Sequence, residues 1–269
     1  MAIPELDGTY TISDQQKKSC NEDGFVFLKG VLNKEEVEAY RAVIDRVVHE
    51  LTGSDNRPLE EKTPYEREFL QCGHLWRVYD DVKRLTLSRR LGSIGAQLLG
   101  AEHVRLWHDQ ALYKVPGGDG TEPHQDMSYW PMIQKNAGTI WIALDKVTVE
   151  HGALHFIPRS HLYEDIFSFE NRIEDSIEKK NDLIAKAKDI TGTEPVYYEL
   201  EPGDATFHHS LTVHYTLPNK TNETRKGMTV IYFEDGILYD GKSPASDHHC
   251  AEGSVHGEPI ATKWNPVIV

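Results

Sequence analysis

At residue 103 the hydrophobic rhythm of the chain changes, and that change limits the folds open to it. Before it, apolar residues return every three or four positions: Val37, Tyr40, Ile44, Val47, Val48 and Leu51 form one stripe, Leu91, Ile94, Leu98 and Leu99 another. That spacing lines one side of an α-helix. Asn33 ahead of the first stripe, with Glu36 three residues on, is a variant of the capping box. A second helix is expected over about 88–99, with a polar loop over 52–64. After residue 103, Val104, Leu106, His108, Gln110 and Leu112 alternate with Arg105, Trp107, Asp109, Ala111 and Tyr113, which is the period of a strand. Further strands are expected over 139–144, 153–157, 195–201, 204–209, 212–216 and 228–234, most of them bounded by Gly, Pro or Asn. The charged stretch 164–189 interrupts them, and its Ile173, Ile177, Leu183, Ile184 and Ala187 point to a helical insertion.

Helices first and short strands afterwards predict an α+β chain with a mainly β core, an antiparallel sandwich or barrel. The 269 residues show no internal repeat and are read as one domain. A helical support region covers 1–100, and a β core covers 103–235 with the insertion 164–189. Against 29 basic residues stand 43 acidic ones, a net charge of −14. Such a surface repels phosphate backbones and anionic membranes, so neither nucleic acid nor a membrane is expected as a partner. No apolar run reaches the roughly 18 residues of a spanning helix, and the N-terminal residues lack the apolar segment of a secretory signal. Cys20, Cys72 and Cys250 form neither a CxxC pattern nor a disulfide framework, which fits a reducing compartment. A cytoplasmic location is expected.

Two segments carry chemistry. In Glu122-Pro123-His124-Gln125-Asp126, a histidine and an aspartate two residues apart in a strand share a face. They are either two metal ligands or a surface histidine bonded to a turn aspartate. The second segment runs from the Pro202-Gly203-Asp204 turn through His208, His209 and His214, with Arg225 beyond it. Two histidines and one carboxylate on a face of an octahedral ion form the facial triad of non-haem Fe(II) oxygenases, which leaves three positions open. A dicarboxylate cosubstrate needs a cation at a fixed distance, and the planar fork of arginine suits it. His208 and His209 point to opposite faces and cannot both reach a metal; both are read as holding the turn before His214. His161 is read as packing in a turn, and His248-His249 as part of a Gly- and Ser-containing tail.

Taken in order, the HQD element at 124–126, Gly152-x-Leu154-x-Phe156-Ile157-Pro158-x-Ser160-His161, Gly203-Asp204-x-x-x-His208-His209, and His214 with Arg225 eleven residues later resemble the phytanoyl-CoA dioxygenase family. That family belongs to the Fe(II)- and 2-oxoglutarate-dependent oxygenases. The resemblance implies a double-stranded β-helix (jelly-roll, cupin-like) with N-terminal helices packed on the sheet. It makes His124, Asp126 and His214 the iron ligands and gives Arg225 the far carboxylate of 2-oxoglutarate. Thr216 matches a hydroxyl to the same carboxylate, Trp141 a tryptophan beside the cosubstrate, Gln110 a side chain in contact with it, and Arg77 a basic residue near it. The implied reaction consumes O2, releases succinate and CO2, and hydroxylates or otherwise oxidises an unactivated C–H bond of a small-molecule metabolite or natural-product intermediate. Halogenases resembling this family have a small residue where Asp126 stands, so hydroxylation is favoured over halogenation.

Alternatives are an acyl-CoA hydroxylase of the same family, a zinc hydrolase and a non-catalytic jelly-roll binding protein. A zinc hydrolase has no use for Arg225 at a fixed spacing, and a binding module would most often lose a triad residue. Substrate contacts are expected from 127–131, 65–80 and 235–250. The acidic balance disfavours a CoA thioester unless a local basic patch overrides it, and Arg67, Arg77, Arg105 and Lys114 are too scattered in sequence to decide. Nothing in the sequence speaks to oligomeric state.

Overall fold

The computed structural model describes residues 3–164, 166, 177–242 and 249–269. In chain order the elements are α1 (Asp14–Asp23), β1 (Phe25–Leu28), α2 (Lys34–Thr52), α3 (Pro64–Glu68), β2 (Leu70–Gly73), α4 (Asp80–Thr86), α5 (Arg89–Leu99), β3 (Val104–Lys114), β4 (Ala137–Ala143), β5 (Leu154–Phe156), α6 (Ile177–Thr191), β6 (Val196–Tyr197), β7 (Ala205–His209), β8 (His214–Thr216) and β9 (Arg225–Glu234). The strands form two antiparallel sheets, one ordered β1-β7-β4-β9-β3-β2 and a smaller one ordered β6-β5-β8. Residues 1–100 are therefore not a purely helical support, because β1 and β2 supply both edges of the larger sheet. Four residues are too few for a period to emerge, and β2 buries only Cys72.

Helices α1, α2, α4 and α5 cover one face of the larger sheet. Asn33 caps α2 as expected: its side chain accepts from the Glu36 N–H at 3.0 Å, while the Glu36 carboxylate accepts from the Asn33 N–H at 2.8 Å. Arg90 grips the same carboxylate at 2.7 and 2.9 Å, so the cap also ties α5 to α2. Leu51, expected in the buried stripe, lies in the last turn and is half exposed. Leu91, Ile94 and Leu98 of α5 join Val37, Tyr40 and Ile44 of α2 against Ile140, Phe207 and Val230 of the sheet. On the other face, Phe25 and Trp141 meet Leu154 and Phe156 of the smaller sheet, with the Phe25 and Phe156 rings stacked at 4.7 Å. The sheets thus pack face to face. Within the expected insertion, α6 packs Ala187 against Ile157, Ile166 and Val213; Ile173 lies outside the described residues.

Strand β3 departs from strict alternation. Its register against β9 shifts between Leu106 and His108, a bulge at Trp107. Val104 and Leu106 face the helices before the bulge, and Ala111 and Tyr113 do so after it. His108, Gln110 and Leu112 consequently turn to the opposite face, where a cavity lies. Asp109 falls on the helix side and accepts from the Trp76 N–H at 3.0 Å and the Thr86 hydroxyl at 2.7 Å. Burial pushes its carboxyl up to about 6. No helix among the described residues is long and apolar enough to cross a membrane.

Gly227 of β9 leaves room for the Trp141 indole to lie across the sheet: a Cβ there would stand 2.1 Å from Trp141 Cζ2. Gly227→Ala is therefore expected to lower stability by about 1–3 kcal/mol, the usual cost of overpacking a core. Urea unfolding of both proteins checks this, and an unchanged midpoint would mean that Trp141 does not pack over Gly227.

Candidate active site

His124 and His214 are fastened to each other through their backbones. Each N–H donates to the other's carbonyl, at 3.1 and 3.0 Å, in an isolated antiparallel bridge. Directly opposed residues project to one face, and the two rings stand 4.2 Å apart. The 124–126 element is not a full strand, because Asp126 opens a 3₁₀ turn. Extended Gln125 (φ −110°, ψ 124°) still sets His124 and Asp126 on one side. Its own amide goes the other way, donating to the Tyr163 and Leu211 carbonyls at 3.0 and 2.6 Å.

Asp126 Oδ1 comes to lie 3.4 Å from His124 Nε2 and 3.6 Å from His214 Nε2. One donor atom from each of the three residues lies within 4.8 Å of the others. The rings are fixed from behind: His124 Nδ1 is 2.7 Å from the Glu122 carbonyl and His214 Nδ1 3.0 Å from that of Thr212. A carbonyl only accepts, so both Nδ1–H groups donate and both Nε2 lone pairs turn inward, the arrangement that prepares an imidazole for a metal. Burial, with His124 and His208 nearby, holds the His214 pKa well below its usual value, which keeps that lone pair available.

The other oxygen of Asp126 is also held. Oδ2 accepts from the Thr139 hydroxyl at 2.9 Å and lies 3.2 Å from His208 Nε2. Burial would raise the Asp126 carboxyl, but the surrounding imidazoles of His214, His124 and His208 hold it well below the usual carboxylate range. His208 thus does more than support a turn, as its sequence neighbours implied. It shares a transverse row of the sheet with Thr139, and only strand pairing reveals that. His209 does serve the turn: its Nδ1 accepts from the Leu211 N–H at 3.2 Å, and its ring faces His161 at 5.9 Å.

All three metal-ligand candidates line one cavity of about 740 Å3, together with Arg225, Thr216, Trp141 and Gln110. Arg225 is 2% exposed. One of its N–H groups donates to the Gly152 carbonyl at 2.6 Å, its Nε has no partner, and its guanidinium lies 5.3 Å from the Trp141 ring. No carboxylate among the described residues pairs with it, and burial lowers its pKa to about 10. The Thr216 oxygen accepts from the Thr121 N–H at 2.9 Å, which leaves its own hydrogen free to donate. Gln110 Oε1 accepts from the Gln71 amide. Arg77 does not line the cavity: it donates to the His249 carbonyl at 2.9 Å and lies 4.2 Å over Trp264. Of the segments expected to contact substrate, 65–80 contributes Tyr65, Gln71 and His74, and 127–131 contributes Tyr129 and Trp130. From 235–250 no described residue lines the cavity, and 243–248 lie outside the described residues.

The cavity therefore joins a two-histidine, one-carboxylate donor set to a buried guanidinium without a counter-charge, which fits a divalent metal beside a dicarboxylate. Residues 20–227 match the family model for phytanoyl-CoA dioxygenase (PhyH). The chain is 26% identical to methylphosphonate hydroxylase of Gimesia maris, over 82% of this chain and 81% of that protein. It is 31% identical to dioxygenase lolE1 of Epichloe uncinata, over 60% of this chain and 57% of that one. Its structure is similar to that of SnoK, a non-haem α-ketoglutarate-dependent carbocyclase from nogalamycin biosynthesis, with a TM-score of 0.80 and 25% identity over 97% of this chain and 100% of that one. The family match includes every donor of the triad and Arg225, and the chain belongs to the phytanoyl-CoA dioxygenase family of Fe(II)- and 2-oxoglutarate-dependent dioxygenases.

Proposed function

We propose that His124, Asp126 and His214 hold the Fe(II), and that Arg225, seconded by the Thr216 hydroxyl, binds the far carboxylate of 2-oxoglutarate. The observation that carries this reading is Arg225 itself, a guanidinium 2% exposed, with no acidic partner among the described residues, in the cavity that holds the triad. Taking a lone cation out of water costs several kcal/mol, and an anionic ligand recovers it. When bound, iron and 2-oxoglutarate supply the oxidising power to attack an unactivated C–H bond with O2, leaving succinate and CO2.

The protein's own residues prepare the place. The Nδ1 bonds aim both imidazoles. Thr139 and His208 occupy Asp126 Oδ2, so the carboxylate offers the metal one oxygen and the remaining positions stay open. Trp141, Leu154 and Gln110 wall the space beside Arg225 and exclude water. Asp126 is present where a halide would otherwise bind, so the reading is hydroxylation, on a small-molecule substrate, by a single cytoplasmic domain. The two facing sheets are read as the halves of a double-stranded β-helix.

Arg225→Ala should raise the 2-oxoglutarate concentration needed for succinate release roughly ten- to a hundredfold, since a charge-assisted contact contributes about 1.5–3 kcal/mol. Arg225→Lys should recover only part, because an ammonium cannot form the fork. An unchanged requirement in Arg225→Ala would remove Arg225 from this role. His208→Ala should weaken Fe(II) binding about 10- to 100-fold, the usual effect of losing a group that orients a metal ligand, and His208→Asn should retain more of it. Metal titration of the apo proteins, beside their melting curves, reads this directly. Equal affinity in His208→Ala and the parent would mean that Thr139 alone positions Asp126.

A further inference from the structure

The outer part of the cavity bears on which class of molecule is oxidised, an inference that rests on the iron and 2-oxoglutarate reading above. The cavity, about 740 Å3, lies in the range of about 300–1,000 Å3 that takes drug-sized ligands, so a five-carbon dicarboxylate fills only part of it. Besides His108 and Gln110, its wall includes Gln71, His74, Tyr65 and Tyr129.

Positive charge is missing from this part. Among the described residues, Arg225 is the only lysine or arginine lining the cavity. The four basic residues that sequence left undecided are all committed elsewhere. Arg67 pairs with Asp119 at 2.9 Å, and Lys114 donates to the Glu68 and Asp119 carbonyls. Arg77 donates to the His249 carbonyl at 2.9 Å, and Arg105 pairs with Asp235. At the inner end the charges cancel, since Fe(II) and Arg225 balance Asp126 and the two carboxylates of the cosubstrate. A phosphate, a phosphonate or the phosphates of CoA would lose water here without gaining a cation, which costs several kcal/mol.

The wall presents an acceptor instead. His108 is 8% exposed and lines the cavity. Its Nδ1 lies 3.2 Å from the Asp109 carbonyl and so carries the hydrogen. Nε2 is left as a lone pair with no protein partner among the described residues. Burial lowers the pKa to about 4, so the ring stays neutral and keeps that lone pair for a ligand that can donate to it. His108 lies in the same transverse row as Ile231 and Thr139, two strands from the hydroxyl that holds Asp126. A molecule bonded to it sits beside the metal triad. We propose that the substrate is a small molecule without anionic groups, uncharged or amine-bearing, whose hydroxyl or N–H donates to His108 Nε2.

The test uses protein loaded with Mn(II) and 2-oxoglutarate without O2, and reads the paramagnetic broadening of probe proton signals. Probes come in pairs sharing a skeleton: amino alcohols and their phosphate esters, arylalkylamines and arylalkylphosphonates, and acyl thioesters of N-acetylcysteamine and of CoA. Broadening at least tenfold stronger for the uncharged or amine member is expected, with the preference lost in His108→Leu and partly restored in His108→Gln. Equal or stronger broadening by the anionic members overturns the proposal. So does broadening by neither kind, or a preference that His108→Leu retains. Succinate release from 2-oxoglutarate by the Fe(II)-loaded protein is measured in parallel, and its absence counts against the iron and 2-oxoglutarate reading rather than against the subsite.

Discussion

A buried carboxylate surrounded by three imidazoles is the constraint on which the rest of this structure turns. Asp126 lies within 3.6 Å of nitrogens from His124, His208 and His214, and the Thr139 hydroxyl and His208 donate to it in place of water it has lost. Each neighbour comes from a different part of the fold. His124 precedes it in the same extended segment, His208 and Thr139 lie side by side on β7 and β4, and His214 begins β8 of the facing sheet. The carboxylate is therefore a point at which both sheets must agree in register. A one-residue slip of β7 against β4 would turn His208 to the helix side, since strand side chains alternate faces.

The same register builds the remainder of the cavity. Row by row across the larger sheet, Thr139 with Ile231 and His108 gives way to Trp141 with Thr229 and Gln110. The next row holds Gly227, whose missing side chain admits the Trp141 ring, and Arg225 follows from the start of β9. The candidate triad and Arg225 are thus set apart by strand geometry, the spacing that the proposed cosubstrate would span. The bulge at Trp107 adds the third component. By shifting β3 one residue it presents His108 and Gln110 to the cavity while Asp109 ties the segment before α4 to the sheet from the other side. Bulges beside active sites commonly re-aim side chains in this way.

Much of this is legible in the sequence, for identifiable reasons. The caps and stripes of α2 and α5 depend on local spacing, which a sequence displays directly. The candidate triad and Arg225 can be named because the HQD element, the Gly203-Asp204 turn with His208 and His209, and His214 with Arg225 resemble, in order, those of the phytanoyl-CoA dioxygenase family. The charge balance by itself speaks against polyanionic partners. Where the sequence falls short, the missing information is non-local. Strands β1 and β2 have four residues each and show no period, so they exist as strands only by pairing with β7 and β3. His208 resembles a turn residue because its sequence neighbours are turn residues, whereas its contact, Asp126, lies 82 residues away.

What the sequence determined alone is a chain whose periods switch from helix to strand, and an ordered set of motifs whose family resemblance nominates two imidazoles, one carboxylate and a guanidinium as its candidate site. What only the tertiary structure decided is the direction in which side chains point. Alternation along β3 places Val104, Leu106, His108 and Gln110 on one face, and the real strand divides them between two, because a single extra residue at Trp107 inverts every position after it. In the same way the sequence lists Arg67, Arg77, Arg105 and Lys114 without saying what they face, and packing turns all four away from the cavity. Facing is a property of paired strands and packed layers, set by hydrogen bonds and contacts between residues far apart in the chain, and no local pattern of residues encodes it.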